Sequence, residues 1–398
     1  MASLIRNASE ILTMTHGLGM IKHSSILIDE GLIKEIGPVR GTKEIETVDA
    51  RGGVVCPGFV DSHTHLVFGG SREDEFALRL SGVGYEKIAK MGGGIQSTVK
   101  KTRAANEDEL YDLARKRIAN LIKHGTTTVE IKSGYGLSFA TELKILKVIK
   151  QLKNNSLVDI IPTFLIHAIP PQMKRRDYVD LVIEEMIPTV AKEDLAVFCD
   201  IFCDKTAFTK KESEKILRKA KDFDLKLKIH ADELSNSGGG QLAARLGCVS
   251  ADHLIHTTKG SIRNMKKAGV VPCLLPGTSL YLNTKKKPNI KAFKQINASV
   301  AIASDYNPGT CMIYSMPKII SLACLLYRMD IEDAMIGATK NGAKALALAD
   351  RIGTIEIGKQ ADLVILNVDN YRKIPYQFGE DMVMCTIKRG KVIYGENC

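Results

Sequence analysis

The sequence of 398 residues contains no apolar run that reaches the roughly 18 residues of a membrane span. Its beginning lacks the basic, apolar and small-residue pattern of a secretory leader. The nine cysteines are odd in number and scattered, and no second close pair accompanies Cys199 and Cys203 to complete a zinc knuckle. These absences favour a cytoplasmic chain with reduced, buried thiols over a membrane protein or a disulfide scaffold.

A nucleic-acid recognition motif is also absent, although the formal charge is +11. Most lysines fall on the polar faces of predicted helices or in the loop Lys285–Pro288. Since basic residues are not interleaved with aromatic ones along any strand, a solvated surface explains the charge better. We therefore expect a small-molecule ligand and no nucleic-acid or membrane partner.

Short strands with turn residues between them occupy both ends of the chain. Ser25–Ile28 and Leu32–Ile36 flank Asp29-Glu30-Gly31, a hairpin pattern, and a second hairpin pattern runs over Thr386–Tyr394. Neither end is long enough for a stable sheet by itself. We predict that residues 1–56 and 351–398 together form one small β-sandwich domain.

Strands and helices alternate over residues 57–350, which predicts a parallel sheet with helices outside it. Helix starts are marked by the capping-box patterns Asn106–Glu109 and Thr209–Glu212. Eight βα units favour a (β/α)8 barrel of the TIM type, and hence an α/β fold class. The eight predicted strands are 57–63, Thr126–Ile131, Asp159–Leu165, Ala196–Phe202, Leu225–Ile229, Val249–Leu254, Val270–Leu275 and Ser299–Ala303.

Chemistry-bearing residues lie at the ends of these strands, where barrel active sites are found. His63 and His65 are one residue apart, so they point to the same face of the first strand. His230 ends the fifth strand and Asp305 follows the eighth. Three imidazoles and a carboxylate with a position open for water are typical of a catalytic metal site.

Five longer runs stand out along the chain: His63–Phe76, Gly92–Ile95, Lys132–Leu137, His230–Glu233 and Ser304–Thr310. They resemble motifs of the amidohydrolase superfamily and, more narrowly, of the imidazolonepropionase family, and the resemblance covers nearly the whole chain. The His-x-His element marks only the superfamily, whereas Ser71–Phe76 and Asp305–Thr310 are much more specific.

The resemblance implies a metal-dependent hydrolase that opens the ring amide of 4-imidazolone-5-propanoate, giving N-formimidoyl-L-glutamate in histidine degradation. One zinc or iron ion per subunit would activate water, and the resemblance also implies a homodimer. The implied metal ligands are His63, His65, His230 and Asp305. The implied substrate contacts are Arg72, Tyr135, His167, Glu233, Asn307, Gly309 and Thr310.

Several roles stay open at this level. Either His253 or Asp305 can serve as the general base, and Glu233 is placed to protonate the departing nitrogen. Arg72 offers a planar fork for a carboxylate, but it can also pair with a glutamate of the following helix. Lys205 follows the fourth strand, where binuclear relatives carry a bridging lysine, and one metal is the preferred interpretation. The alternatives are a heterocycle deaminase, a non-catalytic barrel and a nucleic-acid-binding protein.

Overall fold

A computed structural model describes residues 2–39, 45–83, 87 and 91–395. These residues form two eight-stranded sheets, one from both ends of the chain and one from its middle. The predicted fold class is therefore confirmed: a parallel barrel is accompanied by a separate mixed sheet from the termini. The domain limits at 56 and 350 stay predictions.

The terminal sheet contains eight strands: β1 Ser3–Leu12, β2 Met20–Asp29, β3 Leu32–Gly37, β4 Glu46–Asp49, β5 Val54–Pro57, β14 Leu363–Leu366, β15 Val383–Lys388 and β16 Lys391–Tyr394. Their order across the sheet is β16-β15-β14-β5-β1-β2-β3, with β4 paired to β1. Both predicted hairpins are present as the antiparallel pairs β2–β3 and β15–β16.

The barrel sheet runs in chain order from β6 to β13, with every neighbouring pair parallel. Each of the eight predicted barrel strands has a counterpart in the barrel, with ends shifted by a few residues. The barrel strands are β6 Phe59–Asp61, β7 Thr126–Lys132, β8 Asp159–Ile166, β9 Phe198–Cys203, β10 Lys226–Ala231, β11 Ser250–His253, β12 Val271–Leu274 and β13 Ala301–Ile302.

Helices pack around the barrel, and both predicted capping boxes are formed, since each cap side chain and its glutamate bond reciprocally. A π-helical turn at Val182–Met186 joins two of the helices. The helices are Glu73–Leu80, Ile95–Ala104, Glu107–Lys123, Phe139–Asn155, Arg175–Leu181, Ile187–Lys192, Lys210–Asp222, Gly239–Leu246, Lys259–Ala268, Pro276–Tyr281, Ile290–Gln295, Met316–Tyr327, Ile331–Gly337, Lys340–Ala345 and Lys373–Tyr376.

The barrel closes where its first and last strands meet. The backbone N–H of Asp305 donates to the carbonyl of His63 at 3.0 Å, and that of His65 donates to Tyr306 at 2.9 Å. The buried carboxylate of Asp61 accepts from both the backbone N–H and the hydroxyl of Ser304, at 3.0 and 2.5 Å. Closure thus places His63, His65 and Asp305 side by side.

The predicted strand 57–63 is in fact divided between the two sheets. Pro57 ends β5, which pairs with β14, and Phe59 begins the first barrel strand. Gly58 lies between them, where a Cβ would come within 2.3 Å of the Thr127 side chain. The chain therefore changes sheets at a position where the approach of a neighbouring strand leaves room for glycine alone.

Six cysteines are buried free thiols, and Cys324 is a partly buried one; the six are Cys56, Cys199, Cys203, Cys248, Cys273 and Cys311. Cys398 lies outside the described residues. Within the part of the chain that the structure describes, no helix combines the length and the apolar character that crossing a membrane requires.

Gly342 provides a test of how tightly the barrel is packed. A Cβ at this helical position would lie 2.8 Å from the carbonyl oxygen of Val60 and 3.1 Å from its Cβ. We expect Gly342→Ala to lower the free energy of unfolding by about 1–3 kcal/mol through overpacking. Urea and thermal unfolding would measure the change.

Gly260 is the matched control, because its Cβ would meet only a hydroxyl oxygen, 3.7 Å away. Gly260→Ala should leave stability unchanged or raise it by up to about 1 kcal/mol, as helix propensity predicts. Equal effects of the two substitutions would contradict the packing argument.

Candidate metal centre

Four polar side chains predicted from the sequence meet at the carboxyl ends of the barrel strands. Nε2 of His63 and Nε2 of His65 lie 3.5 and 3.4 Å from Oδ1 of Asp305. The ring of His230 is 4.6 Å from that of His63, measured between centroids. All four side chains are buried. The potential ligand atoms of His63, His65 and Asp305 lie within 4.8 Å of one another.

The protonation states of these imidazole and carboxyl groups are those that binding of a metal cation requires. Burial lowers the pKa of His230 to about 4 and that of His63 well below its usual range, so both imidazoles are neutral near pH 7. Burial opposes ionisation of Asp305, but hydrogen bonds from His65 and Thr278 and the neighbouring imidazoles together lower the pKa of that carboxyl to about 2. Nε2 of His63 and of His230 has no hydrogen-bond partner among the described residues. Buried, unpartnered imidazole nitrogens beside a carboxylate are the donors that zinc or iron prefers.

Two aspartates orient His63 and His230 through contacts with their Nδ1 atoms. Oδ2 of Asp252 lies 2.6 Å from Nδ1 of His63, and Oδ2 of Asp200 lies 3.0 Å from Nδ1 of His230. A carboxylate at Nδ1 favours the tautomer whose Nε2 carries the lone pair. Both Nε2 atoms are therefore left free to bind an ion. These roles of Asp200 and Asp252 were not predicted from the sequence.

A buried ion-pair network holds these aspartates in turn. Nζ of Lys132 donates to Asp200 at 2.7 Å and to Glu130 at 2.9 Å, and Nζ of Lys228 donates to Glu130 at 2.7 Å. Asp252 lies 3.7 Å from Lys132 and 4.0 Å from Lys228. None of these five side chains is exposed. Although burial opposes it, the carboxylates of Asp200 and Glu130 raise the pKa of Lys132, so its ammonium stays charged.

His253 forms a second, overlapping group of potential ligands. Its ligand atom lies within 4.8 Å of those of His63 and His230. Nδ1 of His253 is also 3.6 Å from Oε1 of Glu233, whose pKa burial raises. The backbone of His253 has a φ of +73°, an uncommon conformation for a residue other than glycine. The arrangement brings an imidazole and a carboxyl group to the edge of the cluster.

Two aromatic side chains from neighbouring strand ends line the cluster. The ring of His167 stacks on that of His65 with centroids 5.7 Å apart, and Tyr135 lies 5.7 Å from His65 and 5.6 Å from His167. Nδ1 of His167 is 3.3 Å from the carbonyl oxygen of Gly134. Burial lowers the pKa of His167 to about 3, so this ring is neutral and its Nε2 is an acceptor.

The loop that carries Tyr135 is organised by a residue that the sequence analysis missed. The buried carboxylate of Glu142 accepts from the backbone N–H groups of Gly134, Gly136 and Leu137 at 2.7 to 2.8 Å. The available signal was a glutamate one turn into the helix that follows a glycine-rich loop. Its bonds fix the Ser-Gly-Tyr-Gly segment against the barrel.

The remaining predicted substrate contacts lie together, since Arg72 approaches Gly309 in the loop of residues 307–310. The guanidinium of Arg72 pairs with Glu75, at 3.0 Å from Nε and 2.7 Å from Nη2, which was the alternative left open from the sequence. Oδ1 of Asn307 accepts from the backbone N–H groups of Gly309 and Thr310 at 2.9 and 2.8 Å. These bonds give the loop after the eighth strand a fixed shape.

Lys205 does not enter the cluster, since its side chain is exposed beyond β9. Lys132 is instead a buried lysine near the histidines, and its ammonium is held by carboxylates. The preference for one metal over a lysine-bridged pair stays a prediction.

Lys132 offers a test of the buried network. Lys132→Met removes the cation that faces Asp200 and Glu130, and an uncompensated buried charge costs about 3–5 kcal/mol. We expect a fall of that size in the free energy of unfolding, measured with urea on the metal-depleted protein. Lys153→Met, at an exposed helix position, is the control. Matching midpoints for the two variants would show that the network carries no stability.

Comparisons with known proteins agree with this architecture. The sequence pattern of the amidohydrolase family matches residues 54–393. An imidazolonepropionase of Clostridium tetani is 43% identical over 412 residues, covering 98% of each chain. One of Parabacteroides distasonis is also 43% identical, with the same coverage. The fold is also similar to that of a solved structure, the 5-methylcytosine deaminase from Klebsiella pneumoniae. The TM-score is 0.77 and the sequence identity is 19%, and the match covers 99% of this chain and 98% of the deaminase chain.

The last likeness shows the fold alone, whereas the identity to the curated relatives is high and extends over nearly the full length of both chains. The described cluster of histidines and Asp305 agrees with an enzyme of the metal-dependent hydrolase class. The chain belongs to the amidohydrolase family and, within it, to the imidazolonepropionases.

Proposed function

We propose that this protein hydrolyses the ring amide C–N bond of 4-imidazolone-5-propanoate and releases N-formimidoyl-L-glutamate, a step of histidine degradation. Water adds its oxygen to the ring carbonyl carbon, the C–N bond breaks, and a proton goes to the departing nitrogen. The observation that carries the chemistry is the buried group of neutral imidazoles with unpartnered nitrogens beside Asp305. The full-length imidazolonepropionase relatives support the substrate.

We assign one zinc or iron ion to His63, His65, His230 and Asp305. The support is the closeness of their ligand atoms, together with the aspartates that direct both Nε2 atoms inward. When bound, a divalent ion supplies a water molecule whose pKa is lowered towards ~7 and a positive charge for the developing oxyanion. Thr278 donates to Oδ2 of Asp305 at 2.5 Å, which leaves Oδ1 facing the histidines.

His253 and Asp305 are both placed to take the proton of the attacking water. Of the two, His253 has a partner that can pass the proton on, since Glu233 lies 3.6 Å from its Nδ1. Burial raises the pKa of Glu233, which suits a carboxyl group that must hold a proton and then give it to a leaving nitrogen. We assign His253 as the base that works with Glu233, and Asp305 as ligand and second base.

The remaining contacts would bind and orient the substrate. Tyr135 and His167 offer a hydroxyl and a neutral imidazole to the polar ring atoms, next to His65. Glu75 accepts from Nε and Nη2 of Arg72, so Nη1 of Arg72 would bind the propanoate. The loop of Asn307, Gly309 and Thr310 closes this side of the site.

A heterocycle deaminase, the alternative drawn from the sequence, is not favoured. The deaminase likeness is confined to the fold at 19% identity, while the imidazolonepropionase relatives reach 43% over nearly the full chain. Cytoplasmic location, a homodimer and the lack of a nucleic-acid partner stay predictions. Ammonia release without N-formimidoyl-L-glutamate would favour the deaminase.

Metal removal tests the ion directly. Dialysis against a chelator should abolish the loss of imidazolone absorbance and the appearance of N-formimidoyl-L-glutamate, and Zn²⁺ or Fe²⁺ should restore both. His230→Ala should lose bound metal, measured by elemental analysis, because it removes one donor of the cluster. His23→Ala, at an exposed position of β2, is the control that should keep the metal. Full turnover by the metal-free protein would refute the assignment.

His253→Ala separates a base from a ligand. As a general base, His253 should contribute about 10²–10⁴-fold to kcat, with metal content unchanged in the variant. Glu233→Gln should also lower kcat without loss of metal. His256→Ala, three residues further along the chain, should behave as the wild type. Loss of metal in the His253 variant would make this residue a ligand instead.

A further inference from the structure

A second arginine lies beside Arg72 and was assigned no role from the sequence. Arg79 is in the last turn of the helix Glu73–Leu80, and its Nη2 donates to the carbonyl oxygen of Gly309 at 2.9 Å. Arg72 approaches the same glycine, because a Cβ on Gly309 would lie 2.3 Å from Nη1 of Arg72. Two guanidinium groups therefore flank one residue of the loop that follows Asp305.

The described carboxylates near this pair leave it with an excess positive charge. Oε2 of Glu75 accepts from Nε and Nη2 of Arg72 and from the backbone N–H of Gly94. Among the described residues, no carboxylate lies within ion-pair distance of Arg79, and its buried Nε has no hydrogen-bond acceptor. The one carboxylate beside the two guanidinium groups thus pairs with Arg72 alone, and a buried donor without a partner is costly. An anionic ligand would correct both imbalances.

The pair also lies next to the proposed reaction centre. Burial raises the pKa of Tyr135, and the nearby charge of Arg72 opposes this rise; the ring of Tyr135 is 5.7 Å from that of His65. Gly309 is four residues beyond Asp305 and is bonded to Asn307, which precedes it by two. Since Asn307 also donates to the carbonyl oxygen of Asp305 at 2.7 Å, hydrogen bonds run from Asp305 through Asn307 and Gly309 to Arg79.

We propose that Arg79 is a second carboxylate-binding residue, which holds the propanoate of the substrate together with Arg72. Glu75 fixes the orientation of Arg72 and occupies Nε and Nη2, leaving Nη1 for the ligand. Arg79 offers its free Nε, and its bond to Gly309 keeps the guanidinium at the loop. Two guanidinium groups recognise a planar carboxylate more selectively than one cation does. This inference rests on the proposed function.

The test compares 4-imidazolone-5-propanoate with its uncharged amide, 4-imidazolone-5-propanamide. Arg79→Met should raise KM for the propanoate by about 10–100-fold, since a charge-assisted bond is lost, and should change kcat little. KM for the amide should shift by less than about threefold, because no carboxylate is present to lose its partner. Arg218→Met, on an exposed helix face, is the control.

Arg79→Lys keeps a cation but loses the fork, so it should raise KM for the propanoate by a smaller factor and serves if the Met variant folds poorly. Equal rises for propanoate and amide would show that Arg79 only holds the Gly309 loop, and would overturn this assignment alone. If the wild type does not turn over the propanoate, the proposed function fails and this assignment fails with it.

Discussion

The pairing of Lys132 with Asp200 and Glu130 inside the barrel is the interaction on which the proposed metal centre depends. Charged carboxylates in an apolar interior are stable only when cations and hydrogen bonds compensate them. Because Lys132 and Lys228 supply that compensation, Asp200 and Asp252 can remain next to His230 and His63. The orientation of two proposed ligands is therefore set by a layer of side chains that touches neither water nor substrate.

Part of the backbone strain in the described residues lies at the same end of the barrel. Four residues there have positive φ values: Leu137, Asp232 and Asp305 come after barrel strands, and His253 is the last residue of β11. Each such residue costs about 1 kcal/mol or more, which the surrounding structure must outweigh. The closure bonds between the first and last strands and the three backbone bonds to Glu142 are the contacts that hold this edge in place.

Sequence reasoning predicted the barrel and the grouping of His63, His65, His230 and Asp305, because strand ends in a parallel barrel converge whatever the details of packing. It missed the layer behind them. Glu130, Lys132 and Lys228 alternate with apolar residues inside their strands, a pattern that is typical of a half-exposed strand. Only the closed barrel shows that these polar side chains point inward. The pairing of Arg72 was likewise undecided, since it depends on where a helix turn places Glu75.

The position of β5 has a consequence for how the protein is made. This strand comes just before the barrel, yet it is paired on one flank with β14, as in the contact of Pro57 with Leu363. During translation β5 is synthesised long before β14, because about 300 residues separate them in the chain. One flank of β5 thus stays an open edge until the end of translation, and such edges invite mispairing between nascent chains. The small sheet is therefore exposed to mispairing until β14 has been synthesised and has paired with β5.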